Sequence, residues 1–301
     1  MGTVDFHSHF FSRTFFETLA GQSKLPGDVE SRLATVSKRT GIELPEAGLD
    51  AHLARWTADL DAKGVDHLVS FASVPEEAPI LAEATRASKG RLIPMALVNL
   101  AAPGAEKAIE ARMAEGFAGV LVFPAMHHYQ LGDEACRPAL EALNAAGGVC
   151  YVHCGILVVK LRDILGLPRP YDLAYANPLG IVPAAGAFPD IRFVVPHFGA
   201  GFLRETLMLG AQCENVYVDT SSSNGWLKTQ PTPMTLQDAY SRALGVYGPE
   251  RILFGTDSGI FPAGWRADRR AEQLEVMRAL GLSEPDQDAI LGGNARRLLK
   301  L

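Results

Sequence analysis

A chain of 301 residues that is 48% hydrophobic and 21% charged carries enough apolar material for a large buried core, and its length suits one α/β barrel as well as two smaller domains. A formal charge of −6 argues against a nucleic-acid or anionic-membrane surface as the main partner, because both call for clustered Lys and Arg; a small-molecule substrate is the expectation. The first residues lack a basic segment followed by an apolar one, and no stretch approaches the roughly 18 uninterrupted apolar residues of a membrane span, so the chain reads as cytoplasmic. Cys136, Cys150, Cys154 and Cys213 are too sparse for a disulfide framework and suit a reducing compartment. Cys150 and Cys154 share a strand face, but no second pair accompanies them, so they read as buried core residues and not as a thiolate metal site.

Short apolar or β-branched runs predict eight strands, at 4–10, 67–73, 92–98, 117–123, 149–154, 191–197, 216–219 and 252–254. Apolar spacings of three and four predict helices between them, as at 105–114 (AEKAIEARMA), 135–145 (ACRPALEALNA) and 235–244 (TLQDAYSRAL). Strict alternation implies a parallel sheet, and eight repeats imply a single (β/α)₈ TIM barrel over an open sheet. Connections from helix to strand are tight and carry turn formers, as at Lys63-Gly64, Gly147-Gly148 and Pro249-Glu250. Those from strand to helix are long, at 11 to about 49, 155–177, 220–235 and 258–265. Barrel active sites are built on that side, so these loops predict a functional mouth, within one domain spanning 1–301 whose lid is a loop-rich insertion near 11–49.

The first strand contains His7-Ser8-His9. Strand side chains alternate, so both imidazoles project to one face and form half of a metal site, although HxH alone is a weak signal. His153 ends strand five, His197 ends strand six and Asp257 follows strand eight, each where barrel side chains converge on the mouth. His52, in a helical pattern, and His67, at the opposite end of strand two, read as structural or solvated. His127 and His128 fall in the loop after strand four and suit substrate contact or solvation. Asp219, Ser221 and Ser222 end strand seven, where they serve either to order His197 or the substrate, or to cap a helix. Lys160, Arg162 and Arg169 are cationic candidates for a substrate carboxylate, with plain surface solvation as the alternative.

The set HSH at 7–9, VHCG at 152–155, PHFGAGF at 196–202, FGTD at 254–257 and ILGGNARRLL at 290–299 resembles, in order and strand position, the amidohydrolase superfamily. It is most similar to the amidohydrolase-2 group, which includes aminocarboxymuconate-semialdehyde decarboxylase. The resemblance implies that His7, His9, His153 and Asp257 bind one divalent metal ion, that Asp257 also serves catalysis, and that His197 moves a proton. Three imidazoles and a carboxylate suit Zn²⁺, and Mn²⁺, Co²⁺ or Fe²⁺ would also be accommodated. Relatives with two ions place a Lys or Glu at the end of strand four, where this chain reads GFAGVLVFPAMHHY, so one ion is implied. A bound ion lowers the pKa of its water to ~7, which makes a hydrolase of a small amide, lactone or ester-like compound the leading expectation. Nonoxidative decarboxylation of an aromatic or muconate-type acid is the enzymatic alternative, and a noncatalytic binding protein a distant third. A homodimer is suggested by the resemblance alone.

Overall fold

Strands buried on both faces by helices need side chains that are apolar on both faces, and the sequence supplies them in short runs such as GVLV, VCYV and RFVV. In the computed structural model, which describes residues 2–221 and 224–301, these runs form β1 (Thr3–His9), β2 (Val65–Phe71), β3 (Leu92–Leu97), β4 (Gly119–Val122), β5 (Val149–Val152), β6 (Arg192–Val195), β7 (Val216–Asp219) and β8 (Ile252–Leu253). All neighbours pair in parallel and in chain order, β1 through β8. The ring closes where β8 runs past β1: Phe6 N donates to Phe254 O (2.8 Å), Asp257 N to His7 O (3.0 Å) and His9 N to Ser258 O (2.7 Å). The predicted (β/α)₈ barrel is therefore the observed fold, with β8 shorter than its sequence run. Among the described residues no helix is long and apolar enough to cross a membrane.

Two apolar layers hold the barrel. Phe6, Phe71, Met95, Leu121 and Tyr151 fill its interior, while residues such as Trp56, Leu81, Ile109 and Tyr240 pack between sheet and helices. Close strand contact sets local composition: a Cβ on Gly119 would stand 2.1 Å from Val149 O, so β4 admits only glycine there. The register of β1 against β2 is irregular between Asp5 and Ser8. Strict alternation would send Phe6 and His7 to opposite faces, yet both rings meet Tyr151, at 6.2 and 5.4 Å between centroids. The irregularity thus delivers His7 to the interior without surrendering Phe6 from the core.

The segment after β1 corrects one expectation. Residues 11–49 are not loop-rich: they contain α1 (Arg13–Gln22) and α2 (Val29–Thr40), ahead of α3 (Leu49–Lys63), the helix that leads into β2. Phe15, Phe16 and Leu19 of α1 and Leu33 and Val36 of α2 bury themselves against Val74, Leu165 and Leu167 in an apolar cluster separate from the barrel. Tertiary burial stabilises these helices where their Gly, Pro, Ser and aromatic content suggests a loop. Segment 155–177 likewise contains a short helix, Lys160–Ile164.

The barrel seam is held from within by Asp5. Its buried carboxylate accepts bonds from His7 N (2.9 Å), Thr256 N (3.2 Å), Thr256 Oγ1 and Trp265 Nε1 (2.7 Å). Burial pushes this carboxyl up to about 6, against the pull of those same hydrogen bonds. Asp5→Ala leaves several donors buried without an acceptor and is expected to lower unfolding free energy by about 3 kcal/mol in urea titration; a change below about 0.5 kcal/mol would show that the seam holds without it.

Candidate metal centre

His7 and His9 reach the mouth from the end of β1, and Asp257 reaches it from the turn after β8. One ligand atom from each lies within 4.8 Å of the others. Asp257 Oδ1 stands 3.5 Å from His7 Nε2 and 3.4 Å from His9 Nε2. Asp257 and His197 both adopt left-handed backbone, at φ 59° and 56°, a conformation that costs a non-glycine residue about 1–3 kcal/mol. Each is held by a specific bond: Asp257 N donates to His7 O, and His197 N donates to Asp219 Oδ1 at 3.0 Å. The turns after β6 and β8 are bent to aim these two side chains, which a strand-and-helix reading of the sequence does not reveal.

The layer beneath sets which nitrogen of each ring is free. His7 Nδ1 lies 2.9 Å from Asp219 Oδ2, 2.7 Å from the Tyr151 hydroxyl and 2.9 Å from Ser221 Oγ. A carboxylate only accepts, so Nδ1 carries the proton and Nε2 presents its lone pair towards Asp257. By the same reasoning His197 Nδ1 donates to the Ser221 carbonyl (3.0 Å), leaving Nε2 unprotonated. His9 Nδ1 lies 2.8 Å from Ser73 Oγ. His153 stacks on Phe123 and meets the edge of His197, and its buried Nδ1 has no hydrogen-bond partner among the described residues. Gathered in one group, His7, His9 and Asp257 offer two imidazoles and a carboxylate that fit a divalent cation; His153, expected as a fourth ligand, is not in that close group, although its orphaned nitrogen has no competing partner among the described residues. His7, His197 and Asp219 form a second close group, but Asp219 is occupied by bonds from the His7 ring, the His197 backbone N–H and Ser221 N and Oγ, so it orients the His7 ring and fixes the backbone that carries His197.

The charges agree. Burial opposes a charged His7, yet Asp219 and then Asp257 raise its proton affinity above the ordinary value, as expected of a pocket built for positive charge. Asp257 resists the upward push of its enclosure and stays well below the usual carboxylate range, held by the hydrogen bond to His9 and by its imidazole neighbours His7 and His197. Burial, reinforced by His7, pushes His197 down to about 4, and burial with His197 and His7 as neighbours holds His153 well below its ordinary value. At neutral pH Asp257 is ionised and His197 and His153 are neutral.

The cluster opens into a cavity of about 780 Å³ lined mainly by aromatic and aliphatic side chains. His127, Lys160 and Arg162 line it, and His127 Nδ1 is buried without a partner among the described residues, whereas Arg162 Nε is already spent on Pro168 O. His128 lies outside this cavity and bonds Pro170 O at 2.8 Å, and Arg169 pairs with Asp163. Ser221 is buried beneath the cluster, where it touches His7 and His197 and not the cavity. Ser222 lies outside the described residues. His52 bonds Phe10 O, and His67 bonds Gly90 O at the far end of the barrel. The four cysteines are free and buried. Three functional side chains escaped the sequence reading. Tyr151, two residues before His153, was within reach of strand periodicity. Ser73 and Glu77 carried no signal: Glu77, fully buried, accepts from Ser12 N, Ser12 Oγ and Ser73 N, and Ser73 in turn holds His9.

A parallel barrel with histidines and an aspartate gathered at its C-terminal mouth defines the amidohydrolase-superfamily class of enzymes. The chain belongs to the amidohydrolase family, whose model matches residues 4–301. Its fold is similar to that of 5-carboxyvanillate decarboxylase from Novosphingobium aromaticivorans, solved with manganese and 4-hydroxy-3-methoxy-5-nitrobenzoic acid (18% identity, 99% of this chain and 96% of that one, TM-score 0.69). It is similar also to a probable 2-pyrone-4,6-dicarboxylic acid hydrolase from Acinetobacter baumannii (14% identity, 100% of both chains, TM-score 0.63). A third is 2,6-dihydroxybenzoate decarboxylase from Rhizobium (19% identity, 100% and 99%, TM-score 0.62). At these identities the likeness is one of fold. Among curated proteins no sequence matches significantly.

Ser73→Ala frees the His9 ring and is expected to weaken divalent-metal binding by about 10- to 100-fold in chelator competition; unchanged affinity would detach Ser73 from the centre. Glu77 is lifted from 4.5 to about 7 by burial, against the bonds from Ser73 and Ser12. Its folded form therefore binds a proton more tightly than the unfolded chain, and its contribution to stability is lost as pH rises through that window. Glu77→Gln should flatten the fall in unfolding free energy between pH 4.5 and 7 by about 3 kcal/mol, and an identical pH profile would contradict the assignment.

Proposed function

We propose that this protein is a metal-dependent decarboxylase of a hydroxyl-bearing aromatic acid, with one divalent ion, Zn²⁺ or Mn²⁺, held by His7, His9, His153 and Asp257. The observation that carries this reading is the cavity: a ring-lined space of about 780 Å³, with Phe71, Phe123 and Phe11 around the donor cluster and Lys160, Arg162 and His127 among the polar side chains beyond it, cationic or neutral partners for an acid. A flat apolar ring fits such walls, and removal from water favours a step in which a carboxylate leaves as neutral CO₂. The bound ion would supply a positive charge that neutralises and orients the acid group.

The protonation pattern narrows the substrate. Decarboxylation leaves the electron pair of the broken carbon–carbon bond on the ring carbon, which must take up a proton. Asp257 is ionised and His197 Nε2 unprotonated at neutral pH, so neither begins as a donor. A ring hydroxyl can surrender its proton to one of them, which then delivers it to carbon; water afterwards returns a proton to the ring oxygen, and the hydroxide left combines with released CO₂ as bicarbonate. Asp219 and Ser221 keep the two rings in the tautomers this requires.

Hydrolysis is the second reading, favoured by the same base-first pattern, since Asp257 or His197 can equally take a proton from water. We propose the cytoplasm as its compartment, which suits four free thiols. Metal-loaded protein incubated in H₂¹⁸O with hydroxybenzoates and with aryl lactones separates them. Release of CO₂ with no label in the aromatic product is the expected result. Label in a newly formed carboxylate, without CO₂, would replace decarboxylation by hydrolysis.

A further inference from the structure

The cavity holds more room than a single-ring acid fills. Cavities of ~300–1,000 Å³ bury drug-sized ligands, and this one, at about 780 Å³, lies in the upper part of that range. The donor cluster occupies only its inner end. From there an aromatic wall runs outward to the lid: Phe11 stacks on His9 with centroids 4.6 Å apart and planes 3° from parallel, Phe15 stacks on Phe11 at 4.3 Å, and Phe16 meets Phe15 edge-on at 5.2 Å. Leu19 and Ile42 line the same outer space. The polar side chains lining the cavity from α1 and α2 are Gln22 and Thr40, and the Thr40 hydroxyl is already spent on Val36 O. A purely polar or highly charged substrate would leave this wall uncovered and its own groups unsatisfied.

We propose that the substrate carries an apolar extension, an alkyl chain or a second ring, which lies along the Phe11–Phe15–Phe16 wall beneath α1 and α2 while the acid group faces the metal cluster. This rests on the aromatic-acid reading above and specifies it. The helices of 11–49 are held by their own apolar cluster with Val74, Leu165 and Leu167, and the side chains they turn to the cavity make the insertion the outer half of the binding site as well as its cover. The residues that set specificity are then Leu19 and Ile42, which bound the space, with the phenylalanine wall giving contact to any apolar group.

Calorimetric titration of the manganese-loaded protein with 2-hydroxybenzoate and with its 4- and 5-propyl and hexyl derivatives tests the proposal. Each buried methylene is worth roughly three- to fourfold in affinity, so one hexyl compound should bind at least about 30-fold tighter than the parent. Equal affinities across both series would overturn it. Leu19→Trp and, separately, Ile42→Phe fill the outer half and should bring the hexyl-to-parent ratio to within about threefold; a ratio that survives both substitutions would place the chain elsewhere and overturn the assignment. 3-Hexylphenol, which lacks the carboxylate, separates the two layers of the argument. Binding of this phenol with the same sensitivity to Leu19→Trp, while every acid fails to bind, would uphold the apolar extension and remove the carboxylic-acid reading. Acids that bind without regard to chain length would do the reverse, and failure of all these compounds would remove both.

Discussion

The buried carboxylate of Asp219 is the constraint on which the candidate centre depends. It draws the proton of His7 to Nδ1, accepts the backbone N–H of His197, and is itself fixed by Ser221. Without a negative group at that depth, His7 could adopt either tautomer, and the strained backbone at His197 would lose the bond that compensates it. A single side chain at the end of β7 therefore decides the orientation of rings contributed by β1 and the turn after β6. It does so from a position where it touches nothing in the cavity, so its influence on chemistry is entirely indirect.

Two other buried acids repeat the arrangement with different tasks. Asp5 ties the β1 backbone to the segment after β8, and Glu77 ties the start of α1 to the turn after β2, with Ser73 passing its effect to His9. Each is loaded with donors and each sits one layer below the donor cluster. Such buried acids weaken the folded state when ionised without a full set of partners, yet they hold the ligand-bearing strands in one register. Packing alone, being non-directional, would not select a single ring orientation.

How much of this was legible in the sequence follows from what each residue interacts with. Strands of a closed parallel sheet are apolar on both faces, so runs such as VCYV and RFVV declared themselves, and the helices between them showed three-four spacing. His7, His9, His153, His197 and Asp257 were legible because all lie at strand ends, where position in the run gives position in the barrel. Period two was a poorer guide within β1, where the irregularity between Asp5 and Ser8 puts Phe6 and His7 on the same side. Helices α1 and α2 were hidden because their apolar faces are completed by Val74, Leu165 and Leu167, residues remote in the chain. Ser73, Glu77 and the role of Ser221 were hidden for the same reason: a hydrogen bond across the fold leaves no spacing to read. His128 shows the converse error, since adjacency to His127 carried no information once the left-handed turn at φ 59° sent the two rings apart.

The barrel seam has a consequence for biosynthesis. Within the barrel, His7 and His9 are synthesised with its first strand, while Asp257 and the backbone that pairs with them follow its eighth. Until that final segment appears, β1 has one edge without hydrogen-bond partners, and a free strand edge is a template for wrong pairing. Its sequence answers this hazard: the strand carries Asp5 in place of an uninterrupted apolar run, so premature pairing with another chain would bury a carboxylate whose donors, Thr256 and Trp265, come only with the late-arriving segment.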